Sequence, residues 1–203
     1  MQDITRPSGL PACIPWRSHS GKIFNLLAPD PRLILIEDIA HHLARICRWS
    51  GGTPGHYSVA EHSLRIGILV PARMRAAARL HDAHEMALGD VISPLKELFP
   101  VYRWIARQWD LAICDAFDVD IHDLYSPEVV TADHLMRSLE RAHLFGDSKP
   151  LEDSCWDAGT TKWGLYRNYN QKVEMFGMQY VECAFGKQLV DDLLQAADLK
   201  VKP

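Results

Sequence analysis

Ser58-Val59-Ala60-Glu61-His62-Ser63-Leu64-Arg65-Ile66-Gly67-Ile68-Leu69-Val70, then Pro71-Ala72, then Arg73-Met74-Arg75-Ala76-Ala77-Ala78-Arg79-Leu80-His81-Asp82-Ala83-His84-Glu85-Met86-Ala87-Leu88-Gly89, is the stretch from which the fold is read. Ser58 followed by Glu61 is a capping-box signature, and it starts a helix that runs to about Val70, where Pro71 stops it. A second helix, rich in Ala and Arg, runs from about Arg73 to Leu88 and ends at Gly89, a residue suited to a left-handed cap. Only Pro71-Ala72 separates the two, so they form an antiparallel pair.

The helical pattern extends to both sides. Upstream, from about Ile36, the apolar residues Ile39, Leu43 and Ile46 recur at helical steps, with Glu37 and Asp38 at the positive end of the helix. Ser50-Gly51-Gly52-Thr53-Pro54-Gly55 stops that helix in a loop. Downstream, Ser93-Pro94 restarts a short helix, Val101 to Phe117 reads as a longer one, and Ser126-Pro127-Glu128 opens another that continues to about Phe145. Residues 147–179 have no clear period and read as loop-rich, followed by a terminal helix over about 180–198. Residues 1–32 carry Pro7, Pro11, Pro15, Pro29 and Pro31 and read as irregular, with at most a short strand near Lys22–Leu27 and no pattern sufficient for a sheet. The expected fold is therefore all-α, a multi-helix bundle with an irregular N-terminal segment, in a single domain over 1–203 with its core at about 20–145.

Composition narrows the function. The chain has 203 residues, a net charge of −4 and a 47% apolar share, which is an ordinary globular balance with no basic footprint for nucleic acid. Its apolar runs fall short of the ~20 residues of a membrane span. The N-terminal residues lack a signal-peptide pattern, and a cytoplasmic location is expected. Cys13, Cys47, Cys114, Cys155 and Cys183 are odd in number and never in a Cys-x-x-Cys pair, so they read as reduced thiols, with Cys47 and Cys114 as small buried hydrophobes.

Chemistry concentrates in Arg79-Leu80-His81-Asp82-Ala83-His84-Glu85-Met86, where an imidazole and a carboxylate continue an apolar helix. Burying that pair without a partner is costly. A divalent cation is one partner, since imidazole and carboxylate suit Zn, Mn, Co, Fe or Mg; a polar core network is the other reading, and the cluster alone leaves both open. His62 on the preceding helix could face His81. Asp133, in the first turns of a later helix, could close the coordination sphere or simply compensate the helix dipole. A further dipeptide, His122-Asp123, lies in an acidic stretch and reads as solvated turn.

These residues carry a family resemblance. The order His62, His81-Asp82, Asp133 on successive helices resembles the HD-domain metal-dependent phosphohydrolases. Tyr57-Ser58-Val59-Ala60-Glu61-His62-Ser63, Leu80-His81-Asp82-Ala83-His84-Glu85 and Gly89-Asp90-Val91-Ile92-Ser93-Pro94-Leu95-Lys96 resemble segments of bacterial 5′-deoxynucleotidases, as does Arg48-Trp49. Ser20-Gly21-Lys22-Ile23-Phe24-Asn25-Leu26-Leu27 and Ile36-Glu37-Asp38-Ile39-Ala40-His41 are similar to small phage and bacterial HD hydrolases, some related to dATP triphosphohydrolases. The resemblance covers roughly residues 20–140; the helix connections are shorter than in the deoxynucleotidases, and 147–203 matches no motif.

The resemblance implies that His62, His81, Asp82 and Asp133 bind one divalent metal ion, with Glu85 as general acid or base. It also implies that Arg48 and Lys96 grip phosphate, that Trp49 stacks on the base or sugar, and that Asp90 accepts from a sugar hydroxyl. The expected activity is hydrolysis of the 5′ phosphate ester of a nucleotide, a deoxynucleoside monophosphate in preference to a triphosphate because Arg48 and Lys96 are few cations; Arg45, Arg65 or Arg79 would supply more. A non-catalytic metal- or nucleotide-binding protein is the competing class. No nucleic-acid or membrane partner is expected, and homo-oligomerisation is compatible with the long final helix.

Overall fold

The computed structural model describes residues 5–146 and 178–201. Its architecture is all-α, with one small ribbon at the start: β1 (Pro15–Arg17) pairs antiparallel with β2 (Ile23–Asn25), Trp16 opposite Phe24. The expectation of no sheet is thus corrected by a two-stranded ribbon. Three residues per strand are too few to show an alternating pattern, and the pairing is held by tertiary contact. Trp16 and Phe24 cluster on Trp109 with ring centroids 5.5 and 5.3 Å away, and the Trp109 indole donates to the Leu26 carbonyl at 3.0 Å.

The helices follow as α1 (Ile36–Arg45), α2 (Val59–Leu69), α3 (Arg75–Leu80), α4 (Glu85–Leu88), α5 (Ser93–Leu98), α6 (Pro100–Phe117), α7 (Ile121–Leu124), α8 (Pro127–Phe145) and α9 (Met178–Val201). Ser58 caps α2 as its sequence requires, its hydroxyl accepting from the Glu61 amide at 3.2 Å. Ser126 caps α8 in the same way, with Pro127 in the first turn. The expected loop at 147–179 falls outside the described residues except for its last two positions, which open α9.

Two helix boundaries differ from the sequence reading. α1 stops at Arg45, because the Ile46 carbonyl accepts from Val59 and the Arg48 amide donates to Tyr57, drawing residues 46–58 into a closed loop. Cys47, on that loop, is exposed with its Sγ 3.3 Å from His56 Nδ1, and does not have the buried helical place that Cys114 has. The expected helix from Arg73 to Leu88 is also broken. A 3-10 turn over Ala72–Met74 precedes α3, and residues 81–84 form turns between α3 and α4 in which Ala83, Glu85, Met86 and Ala87 each bond three residues back. Gly89 ends α4 at φ 75° and ψ 163°, a conformation open essentially to glycine alone.

The core gathers Ile39 and Leu43 of α1, Ile66 of α2, Leu80 of α3, Ile113 of α6, Met136 of α8, and Phe185 and Leu189 of α9, all essentially inaccessible to solvent. At ~1.5–3 kcal/mol for each fully buried side chain, these contacts dominate stability. α9 lies against α1, α2 and α3. Its buried stripe Val181, Phe185, Leu189 continues to Asp192, which pairs with the buried Arg79 of α3. Arg79 also donates to the Leu64 carbonyl at 3.0 Å, so its guanidinium is pinned against Gly67, where an added Cβ would lie 2.7 Å from Arg79 Cζ. Gly67→Ala is expected to destabilise the fold by about 1–3 kcal/mol in urea unfolding. An unchanged midpoint would mean that Arg79 swings aside freely.

Candidate metal centre

Three of the predicted ligands, His62, His81 and Asp82, meet where α2 and the 81–84 turn converge, and Asp133 of α8 joins them at His62. Asp82 Oδ2 lies 3.0 Å from His81 Nε2 and 3.7 Å from His62 Nε2, and Asp133 Oδ1 lies 3.1 Å from His62 Nε2. Donors that share one ion at ~2.0–2.2 Å are at most ~4.4 Å apart, so these separations suit a common centre. His62, His81 and Asp82 form one group of potential ligands, with donor atoms all within 4.8 Å of one another, while Asp133 lies outside that group and reaches it through His62 Nε2.

Tautomers support the same reading. His81 Nδ1 bonds the Ala78 carbonyl at 2.9 Å, and a carbonyl only accepts, so Nδ1 carries the proton. Nε2 is buried and faces Asp82 Oδ2 at 3.0 Å, so it donates there when the ring is charged and offers a lone pair when the ring is neutral. His62 Nδ1 donates to Glu140 Oε1 at 2.5 Å, which leaves Nε2 of a neutral His62 facing the carboxylates of Asp82 and Asp133. Both Nε2 atoms face carboxylate oxygens, to which a ring proton donates in the absence of metal and with which a deprotonated ring nitrogen can share a cation. The donor set of two imidazoles and two carboxylates therefore fits a divalent ion.

Charge is tuned accordingly. Burial lowers the His81 pKa, but Asp82 and Asp133 outweigh it and raise it to about 9, so its Nε2 proton must leave as a cation arrives. Asp133 resists burial because the His62 bond and the neighbouring histidines hold its carboxyl well below the usual range. Glu85 behaves oppositely. Burial and the adjacent Asp82 charge raise it to about 7 against the pull of Lys96, and its Oε2 is buried without a partner.

A cavity of about 330 Å³ opens on Asp82, Glu85 and Asp133 and is also lined by Arg48, Trp49, Asp90 and Lys96, so every predicted substrate residue borders it. That volume is at the small end of the ~300–1,000 Å³ of small-molecule sites. Neither predicted phosphate cation is unengaged. Lys96 Nζ donates to Glu85 Oε1 at 2.8 Å, and Arg48 reaches Glu140 at 3.3 Å and Asp82 at 3.5 Å. The 46–58 loop presents Trp49 at φ 56°, uncommon for a bulky residue, and anchors it by an indole bond to Glu140 at 3.0 Å and an edge contact with Phe145.

Three features lie beyond the sequence reading. Glu140 is fully buried, accepts from His62, Arg48, Trp49 and Tyr57, and is held at about 2 because His62 and Arg48 outweigh the burial that would raise it. Its signal was present: Ala132, Met136, Glu140 and Leu144 recur every fourth residue along the buried stripe of α8. Asp110 of α6 pairs with His84 Nδ1 at 2.9 Å and with the Tyr125 hydroxyl. Arg137 and Arg141 line the cavity, Arg137 bonded to Asp133 at 2.5 Å. The reserve cations named from sequence lie elsewhere: Arg45 pairs with Glu182, Arg65 with Glu61 and Arg79 with Asp192, and none borders the cavity. Nothing in the sequence shows which way a helical arginine turns. His122 is exposed, as a solvated position should be, although Ile121–Leu124 forms one helical turn.

Fold and site together define an all-α chain with a candidate His/Asp/Glu metal centre at the floor of a cavity. Among the described residues no helix is long and apolar enough to cross a membrane. No family model matches the chain. It is 34% identical over 128 residues to the uncharacterized protein YfdR of Escherichia coli, across 63% of this chain and 71% of that one, and it belongs to the same family. It is also 51% identical over 89 residues to an uncharacterized protein of Rhodobacter capsulatus, of which the match spans 45% of the length and 39% of this chain.

Proposed function

We propose that the protein is a metal-dependent phosphohydrolase that cleaves the 5′ phosphate ester of nucleotides, with deoxynucleoside monophosphates as the leading substrate class. The observation that carries this reading is the convergence of His62, His81, Asp82 and Asp133 beside a buried carboxylate, Glu85, whose Oε2 has no partner. The resemblance to HD-domain phosphohydrolases supports it. A divalent ion held by those four residues would polarise a phosphoryl oxygen and acidify a coordinated water from ~15.7 toward ~7.

The chain's own residues do the rest. Glu85, with a pKa raised to about 7, exchanges a proton with the attacking water or the leaving oxygen at Oε2 while Lys96 holds Oε1 in place. Arg48 shifts its donors from Asp82 toward phosphate oxygens as substrate enters. Trp49 offers a face for the base or sugar, and Asp90 an acceptor for a sugar hydroxyl. A second reading, triphosphate hydrolysis with release of tripolyphosphate, is favoured by Arg137 and Arg141, which add two cations to the cavity wall one turn apart. A purely structural or sensory ion leaves the elevated pKa of Glu85 without a use.

The test is metal-stripped protein refilled with Mn, Co or Mg and incubated with nucleoside mono- and triphosphates. Metal-dependent orthophosphate release from monophosphates is expected, and tripolyphosphate release would select the second reading. No product while the metal stays bound would overturn both. Glu85→Gln should retain the ion, lose ~10²–10⁴-fold in kcat and abolish the rise of activity with pH at or below about 7, where the carboxylate must be ionised to act as base.

A further inference from the structure

We propose that Cys47 and His56 form a thiol–disulfide exchange site, at which a small-molecule disulfide caps Cys47 and loosens the loop that carries Arg48 and Trp49. Cys47 Sγ lies 3.3 Å from His56 Nδ1, and His56 Nε2 lies 2.8 Å from the Ala44 carbonyl in the last turn of α1. A carbonyl only accepts, so Nε2 holds the ring proton, and in the neutral ring the Nδ1 lone pair faces the thiol. A nucleophile, a base within reach of its proton and a third group that orients the base are together the arrangement that activates a thiol. Access is open as well. Cys13, Cys47 and Cys183 are exposed, and among the described residues Cys47 is the one cysteine paired with an imidazole.

The disulfide itself balances the step. His56 Nδ1 takes the Sγ proton, the thiolate attacks one sulfur of the disulfide and the S–S bond breaks; the departing thiolate takes the proton from His56 and leaves as a thiol. Cys47 is oxidised to a mixed disulfide, and the other half of the small molecule is reduced. The new substituent removes the thiol proton and adds bulk at a sulfur only 3.3 Å from the ring. That contact is one of the ties of the 46–58 loop, beside the Val59–Ile46 and Arg48–Tyr57 backbone bonds. The loop depends on its ties, because Trp49 and Ser50 stand at φ 56° and 51°, a left-handed path that residues other than glycine rarely take. Arg48 follows Cys47 directly, and both Arg48 and Trp49 line the cavity. Capping therefore weakens the grip on substrate, a consequence that rests on the function proposed above, whereas the exchange itself does not.

Reaction of the full chain with 5,5′-dithiobis(2-nitrobenzoate) and with oxidised glutathione, each followed by peptide mass mapping, gives the rate at each cysteine. Cys47 is expected to exchange at least ~10-fold faster than Cys13 and Cys183. That lead should vanish in His56→Asn, and also in urea, where the pair is apart and no variant is needed. Equal rates in the folded chain, or a lead that survives in either His56→Asn or urea, overturn the site. Metal-dependent nucleotide turnover is read on the same preparations. The glutathione-capped protein should lose at least ~5-fold in kcat/KM through displaced Arg48 and Trp49, and recover it with dithiothreitol. Cys47→Ser should keep the parent's turnover and be insensitive to the disulfide. Unchanged turnover after capping overturns control of the cavity, whereas fast exchange in a chain that turns over no nucleotide sinks the proposed function alone.

Discussion

Asp82→Ala is expected to lose at least ~10³-fold in kcat/KM, about 4 kcal/mol of transition-state stabilisation, together with its divalent metal. Asp82 stands beside two imidazoles and a guanidinium at once. Its Oδ2 lies 3.0 Å from His81 Nε2, 3.7 Å from His62 Nε2 and 3.5 Å from Arg48 Nη1, so removal leaves two imidazoles and Asp133, with the neighbouring cation released from its carboxylate partner. The fold should survive. Asp82 faces the cavity, and its charge also crowds Glu85, so the variant relieves a like-charge contact. Steady-state kinetics and metal analysis on one preparation check both statements. Activity within a few-fold of the parent would show that the centre lies elsewhere.

Glu140→Ala should be the most destabilising single change near the site, by about 3–5 kcal/mol in urea unfolding, the range for removing one partner from a buried ion pair. The carboxylate is inaccessible and accepts from four side chains, so its loss strands the Arg48 guanidinium, the Tyr57 hydroxyl, the Trp49 indole and His62 Nδ1 together. Glu140→Gln keeps the shape and separates stability from positioning. With a weaker acceptor behind His62, metal affinity should fall ~10–100-fold while the protein remains folded. An alanine variant with the parent's urea midpoint would remove Glu140 from the account.

What the sequence made legible were features written in local chemistry. Ser58 and Ser126 cap where short polar side chains precede apolar runs, Pro71 stops α2, and the spacing of Ile39 and Leu43 marks the buried face of α1. His81 and Asp82 stand out as an imidazole and a carboxylate on an apolar helical pattern, whereas joining them to His62 and Asp133 as one ligand set rested on the resemblance to HD-domain phosphohydrolases. Features that depend on partners distant in sequence could not be read. Apolar periodicity over four residues cannot separate a repeat of 3.6 from one of 3.0, so the interruption at residues 81–84 was hidden in a continuous helix. The β ribbon is stabilised by Trp109, far along the chain, and Arg79 looked available for phosphate until its pairing with Asp192 was visible. Arg137 and Arg141 carry the ordinary look of a solvated helix, and only the position of α8 brings them to the cavity.

The Arg79–Asp192 pair also has a consequence for how the centre comes into being. During synthesis, every proposed ligand emerges from the ribosome long before residue 192, yet the arginine two positions ahead of His81 has its carboxylate only on the last described helix. Until that helix docks, the hairpin that carries the proposed ligands lacks the carboxylate partner of the guanidinium at its base. Completion of the proposed centre is therefore expected to depend on a segment that supplies none of its four proposed ligands.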